Sequence, residues 1–274
     1  EGHDDEEKRP PGDPGDLLGR GDGQHTPSLR ATVPPMTPYA ALVHRVRANP
    51  AQPLLTYVVP ARGERMELSA ASFMNAVAKA AGLLRDDLDV EPGDHVGMRL
   101  PCHWQRSVWW AACTFVGAVC VPDATESVTV TSRDHLDECT GANEIVLVSL
   151  APFGLPDGER VPPGVTEAAV AVRAHPDEFV PYSLPQDDWL ITTDQTAAEL
   201  MSMAADFAGA RGAKSDSRFA VLCNDVEAAS FALPMALVTG GSVVIIDDRA
   251  EVGGAVDITA TLQTEGAPLI RGGP

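Results

Sequence analysis

Residues 90–101 read Val-Glu-Pro-Gly-Asp-His-Val-Gly-Met-Arg-Leu-Pro, and residues 104–122 read Trp-Gln-Arg-Ser-Val-Trp-Trp-Ala-Ala-Cys-Thr-Phe-Val-Gly-Ala-Val-Cys-Val-Pro. Glu91-Pro92-Gly93-Asp94 suits a type II turn, with proline fixing the second residue and glycine taking positive φ at the third. A strand from His95 to Leu100 follows and ends at Pro101. Trp104 to Val116 then carries Val108, Ala111, Ala112 and Phe115 at helical spacing. Gly117 stops that helix in the left-handed conformation, and Ala118 to Val121 is the next short strand. Strand, helix and strand joined so tightly are the unit of a parallel sheet, whose strands need a crossover between them.

The same alternation extends in both directions. Tyr39 opens a helix with Leu42, Val43 and Val46 on one face, ended at Asn49-Pro50 because the residue before proline is pushed out of the helical region. Leu54 to Val59 and Arg65 to Leu68 read as paired strands around Ala61-Arg62-Gly63. Ser69 is a good N-cap for a helix bearing Phe73, Val77, Ala80, Ala81 and Leu84. Downstream come a helix near Ser132 to Cys139, a strand from Ile145 to Ser149, a Pro- and Gly-rich loop from Ala151 to Gly164 and a short helix before His175-Pro176. Trp189 to Thr192 reads as a strand, Thr196 to Ala208 as a helix, Arg218 to Leu222 as a strand, Val226 to Val238 as a helix and Ser242 to Ile246 as a strand. The expected fold is α/β, a mainly parallel sheet with helices on both faces, over residues 37–274. Residues 1–36, with Asp4-Asp5-Glu6-Glu7 and Pro10-Pro11-Gly12-Asp13-Pro14-Gly15, carry little apolar surface and are expected to form a disordered, solvated tail.

The chain has 274 residues, with 20 basic against 39 acidic side chains and a formal charge of −19. That balance argues against nucleic acid and anionic membrane as partners, since both need a Lys/Arg surface. Five cysteines, odd in number and without C-x-x-C, encode neither a disulfide framework nor a thiolate metal site and fit a reducing cytoplasm. The longest apolar stretches, Phe231 to Val238 and Val243 to Ile246, fall short of the roughly 20 residues that cross a bilayer. Glu1 is no natural start, so a short N-terminal piece is expected to be missing. Three lysines beside 17 arginines, with abundant Ala, Val, Gly and Asp, fit a GC-rich bacterial genome.

The order of strand, helix, x-Pro-Gly-Asp-x-Val-x-x-x-Leu-Pro, helix and Gly-Ala-Val-x-Val-Pro resembles the N-terminal subdomain of the adenylate-forming superfamily, over roughly residues 37 to 247. The superfamily includes acyl-CoA synthetases, luciferases and peptide-synthetase adenylation domains. The resemblance implies that Trp189 to Thr193 should feed a Ser/Thr/Gly-rich phosphate loop ending in Pro-Lys-Gly. This chain instead continues Asp194-Gln195-Thr196-Ala197-Ala198-Glu199-Leu200, with no glycine until Gly209 and no lysine until Lys214. The position where the family places an aromatic or histidine reads Leu222-Cys223-Asn224-Asp225. The adenine-gripping Tyr-Gly-x-Thr-Glu segment, the ribose-binding Asp motif and the small C-terminal domain with its catalytic lysine would lie beyond residue 247, and the chain runs to Pro274 without them.

Thr192, Thr193 and Thr196 are the remnant hydroxyls at the phosphate-loop position and the candidate cofactor-binding residues. A phosphate at that helix start would gain about 0.3–1 kcal/mol from the macrodipole. A carboxylate about 4 Å away, such as Asp194, would repel it by roughly 4 kcal/mol at an effective dielectric of 20. Capping by Asp194 or Thr193 is the simpler expectation. Cys102-His103 and the Asp134 to Cys139 cluster show no metal spacing, Asp247-Asp248 lack the G-x-G-x-x-G that a ribose-binding acid accompanies, and no G-x-S-x-G is present. Catalytic residues, metal and cofactor are therefore expected to be none. The function expected is that of a pseudoenzyme, a non-catalytic binding or interaction protein with an unidentified protein or small-molecule partner. A nucleotide-, acyl- or CoA-binding protein and a residual ligase acting with a partner chain stay open beside it.

Overall fold

The computed structural model describes residues 36–122, 126–249 and 257–273. All of the expected tail except Met36 lies outside them. The chain starts with α1 (Pro38–Ala48), capped by the Thr37 hydroxyl, which accepts from the Ala40 amide at 3.1 Å. β1 (Pro53–Val59) and β2 (Glu64–Ser69) form an antiparallel hairpin around Gly63. Ser69 caps α2 (Ala70–Gly82) as its sequence position suggests, accepting from the Ser72 amide. β3 (His95–Arg99), α3 (Trp104–Val116) and β4 (Val119–Val121) follow in the expected order. Gly93 has φ +92 and the Asp94 amide closes on the Glu91 carbonyl at 3.1 Å, so the turn forms as read.

Two four-or-fewer-residue strands extend this unit, β5 (Val128–Thr131) and β7 (Val165–Glu167), with β6 (Glu144–Leu147) between them. The second half holds α4 (Ala168–Ala171), α5 (Ala197–Ala210), β8 (Arg218–Leu222), α6 (Val226–Ser230), α7 (Ala232–Thr239), β9 (Ser242–Ile246) and α8 (Thr259–Glu265). The expected single helix from Val226 to Val238 is broken at Phe231, whose φ of −91° and ψ of 0° leave the helical ladder. The segment near Ser132 to Cys139 is 3-10 rather than α, running Arg133–Cys139.

The parallel strands are shared between two sheets. One has the order β2-β1-β9-β8, and the other, wholly parallel, has the order β4-β3-β5-β6-β7. α3 touches β1 of the first sheet and β3 and β4 of the second, so one helical layer serves both. The first sheet alternates as a strand period of two requires. Leu55, Tyr57, Phe219, Val221, Val243 and Ile245 face the main core, while Val58, Ala220, Leu222, Val244 and Ile246 pack under Leu262 and Ala267 at α8. Burial on both faces explains why β8 and β9 read as continuous apolar runs.

Candidate functional site

The carboxyl ends of β3 and β4 open onto a cavity of about 430 Å³. Met98, Trp110 and Phe231 give it apolar walls, and Arg106, Thr192 and Gln195 supply polar points. Arg106 stands in the first turn of α3 with its guanidinium on the Leu100 carbonyl, which fixes it at the cavity edge. A concave, mostly apolar space with a few polar groups at the carboxyl end of a parallel sheet is where such folds bind small molecules.

One wall is the segment that enters α5. Trp189 to Thr192 is not the strand its apolar residues suggest. The Ile191 amide turns back to the Gln195 carbonyl at 2.8 Å, while the Ile191 carbonyl accepts from the Cys120 amide of β4 at 2.9 Å. The chain reverses tightly there, and Leu190 to Thr196 is an isolated bridge rather than part of a strand. Ile191 anchors the turn in a small cluster with Ala197 and Leu200.

The cap of α5 is Thr196, correcting the expectation of Asp194 or Thr193. The Glu199 amide donates to the Thr196 hydroxyl at 3.2 Å, and the Glu199 carboxylate accepts from the Thr196 amide at 2.9 Å and from its hydroxyl at 2.9 Å. This is a capping box, and the Thr-x-x-Glu spacing is the sequence signal for it. The Ala197 and Ala198 amides bond the carbonyls of Trp189 and Asp187 at 2.8 and 2.9 Å. Thr192 donates to Asp194 at 2.9 Å, and Thr193 is exposed. Of the three candidate threonines, the structure therefore places Thr192 on the cavity wall, Thr193 in solvent and Thr196 in the cap.

A second group of polar residues, which sequence spacing does not bring together, lies at the carboxyl ends of β1, β8 and β9. The Tyr57 hydroxyl donates to Asp247 at 2.7 Å across 190 residues. Arg249 forks onto both Asp247 oxygens at 2.7 and 2.6 Å and donates to the Cys102 carbonyl at 3.0 Å. Burial opposes ionisation of Asp247, but the bonds from Arg249 and Tyr57 outweigh it and hold its pKa below the ordinary value. Burial and the Asp247 bond push the Tyr57 pKa up. His103 packs edge-on to Tyr57 at 4.5 Å and caps α3 through Nδ1, and burial pulls its pKa down to about 3. The neutral ring is what lets Nδ1 accept from the Gln105 amide. Among the described residues no His/Cys/Asp/Glu group is arranged to hold a metal, and no helix is long and apolar enough to cross a membrane.

Against solved structures, the chain matches the acetoacetyl-CoA synthetase from Streptomyces lividans with a TM-score of 0.63 at 21% identity, covering 77% of this chain and 38% of that one. The Brucella canis acyl-CoA synthetase gives 0.64 at 18%, covering 83% and 46%. The anthranilate CoA ligase AuaEII, solved with anthranoyl-AMP, gives 0.62 at 13%, covering 86% and 49%. The chain thus spans less than half the length of each, and these likenesses establish the fold, that of the N-terminal part of adenylate-forming enzymes. No protein-family model matches the chain. Its sequence is 35% identical over 222 residues to a TIGR03089 family protein of Mycobacterium tuberculosis, covering 76% of this chain and 85% of that protein. With the fold and this match in hand, the chain belongs to the TIGR03089 family.

Proposed function

We propose that the protein is a non-catalytic binding protein that keeps the ligand cavity of an adenylate-forming fold and does not activate what it holds. The observation that carries this reading is the occupation of every amide at the start of α5. Those of Thr196, Ala197, Ala198 and Glu199 are all bonded to the protein's own oxygens. Binding a phosphate at a helix N-terminus requires free amides, and stabilising charge during adenylyl transfer requires amides and cations already aimed at it. The exposed Asp194 adds a like charge beside the same position. The cavity itself suits a compact apolar molecule with one polar or anionic head, for which Arg106 and Thr192 are the candidate contacts. The structural relatives include an acyl-CoA synthetase and an anthranilate CoA ligase with anthranoyl-AMP, so a small acyl group or organic acid is the ligand class we assign.

The test combines native mass spectrometry of the freshly purified protein with carboxylate-dependent ATP–pyrophosphate exchange over short, medium and aromatic acids. The expected outcome is a retained or titratable acid, with calorimetry showing no ATP or AMP binding and no exchange. Exchange above the no-enzyme control that disappears in a Thr192→Ala/Thr193→Ala variant would establish a residual ligase instead. Absence of any bound acid together with a co-purifying protein would make the interaction role the correct one.

A further inference from the structure

We propose that Cys102 and Cys223 are a reversible, oxidant-sensitive dithiol whose disulfide ties the two sheets together at their carboxyl edges. Cys102 follows β3, in the all-parallel sheet, and Cys223 follows β8, in the other, 121 residues further along the chain. The Cys223 thiol donates to the Cys102 carbonyl at 3.4 Å, which sets the Cys223 sulfur against the residue that carries the other. Arg249 pins the same Cys102 carbonyl at 3.0 Å, so the backbone carrying one sulfur is held in place beside the other.

The two sulfurs differ in the way a sensing pair needs. Cys223 is only 6% exposed, and the thiol contact together with burial raises its pKa, so it stays a protonated thiol out of reach of solutes. Cys102 is half-buried and the more exposed of the two. Hydrogen peroxide therefore meets Cys102 first. The Cys102 sulfur attacks one peroxide oxygen, an S–O bond forms, the O–O bond breaks, and the departing hydroxide takes the Cys102 thiol proton to leave as water. The Cys223 sulfur then attacks the Cys102 sulfur. The S–S bond forms as the S–O bond breaks, and the leaving hydroxide takes the Cys223 proton. Two thiols and one peroxide give one disulfide and two waters.

The other close pair is a built-in comparison. Cys120 and burial together raise the Cys113 pKa; Cys113 is fully enclosed in α3, and Cys120, 9% exposed, meets solutes only through the cavity it lines. Cys139 is buried with its thiol on the His135 carbonyl. Oxidation at Cys102 acts next to the first turn of α3, the turn that brings Arg106 to the cavity. Its effect falls on the ligand site, although the pairing does not depend on what that site binds.

The native protein should be titrated with hydrogen peroxide, its remaining thiols alkylated with iodoacetamide in denaturant, and its peptides mapped by mass spectrometry. The expected result is loss of two of the five thiols, recovery of both with dithiothreitol, a Cys102–Cys223 linked peptide, and a raised thermal midpoint in the oxidised form. Cys223→Ser should stop at a dimedone-trappable sulfenic acid on Cys102, and Cys102→Ser should leave Cys223 unmodified. A Cys113–Cys120 or intermolecular link formed first would overturn the assignment. So would Cys102 advancing to sulfinic acid in the wild type while Cys223 remains a thiol, or all five thiols surviving until the protein unfolds. The wild-type peptide map decides the matter even if one serine variant fails to fold.

Discussion

Gly117→Ala should cost far more than the methyl group it adds. Gly117 ends α3 at φ +83°, and a Cβ built there falls 2.5 and 2.8 Å from Cζ3 and Cε3 of Trp189 and 3.1 Å from Cβ of Pro92. Ordinary carbon contacts lie near 3.5–4.0 Å, so about 1 Å must be found by moving the indole or the turn. Left-handed backbone costs a non-glycine residue roughly 1–2 kcal/mol, and overpacking adds about 1–3 kcal/mol. Restricting the unfolded chain returns about 0.4–1 kcal/mol. Trp189 is half-buried and can yield, which favours the middle of the range, a net loss of about 2–4 kcal/mol. Gly93→Ala isolates the backbone part: φ is +92° but nothing lies within 4 Å of its Cβ, so its loss should be about 1 kcal/mol or less. Urea unfolding followed by circular dichroism, with unchanged m-values, measures both. Adding Trp189→Ala should remove the steric share of the Gly117→Ala loss. Equal losses at the two glycines, or a Gly117 loss unaffected by removing the indole, would refute the packing argument.

Phe115→Ala should cost about 3–5 kcal/mol in the same assay, because Phe115 is 1% exposed and edge-on to Tyr39 at 4.7 Å. Thr196→Ala should cost about 0.5–2 kcal/mol through loss of the α5 cap, and freed amides should not by themselves confer ATP binding in calorimetry. Stability should fall on acidification before the carboxylates titrate. His103 is held neutral down to about pH 3, whereas the unfolded imidazole takes a proton near pH 6.5, so its contribution is complete above about pH 6.5 and is lost as pH falls. By pH 5 the loss should reach about 2 kcal/mol, and His103→Gln should flatten the curve between pH 7.5 and 5. Limited proteolysis should remove residues 1–36 without lowering the thermal midpoint of what remains; a lowered midpoint would show that segment to be docked.

The β3-α3-β4 unit was legible because its punctuation is chemical: proline and glycine set the turn, and a left-handed glycine ends the helix. β5 and β7 were not, since four buried residues at Val128–Thr131 and three half-buried ones at Val165–Glu167 are too short to show a period. Trp189 to Thr192 misleads for the opposite reason. Trp189 and Ile191 are buried or half-buried as alternate residues of a strand would be, whereas Leu190 is exposed, and the hydrogen bonds to Gln195 distinguish the turn. The break at Phe231 hides in an apolar run. At the site, the Thr196-x-x-Glu199 spacing carried the cap although Asp194 or Thr193 was expected to supply it. The Tyr57, Asp247, Arg249 and His103 cluster was beyond reach because its contacts span up to 190 residues, and no pattern in the chain links them.

Strand order also dictates a timetable during synthesis. The all-parallel sheet uses residues 95–167 and can close early, whereas β1 waits for β9, with Leu55 beside Val243 and Val58 beside Ile246. At about 5–20 residues per second, a ribosome needs roughly 10–40 s to go from the end of β1 to the end of β9. Throughout that interval the β1–β2 hairpin presents an apolar strand whose free edge is a template for any other extended chain. A nascent chain arrested before Ser242 should therefore be sticky and insoluble, and release from that state should come within the few residues that complete β9.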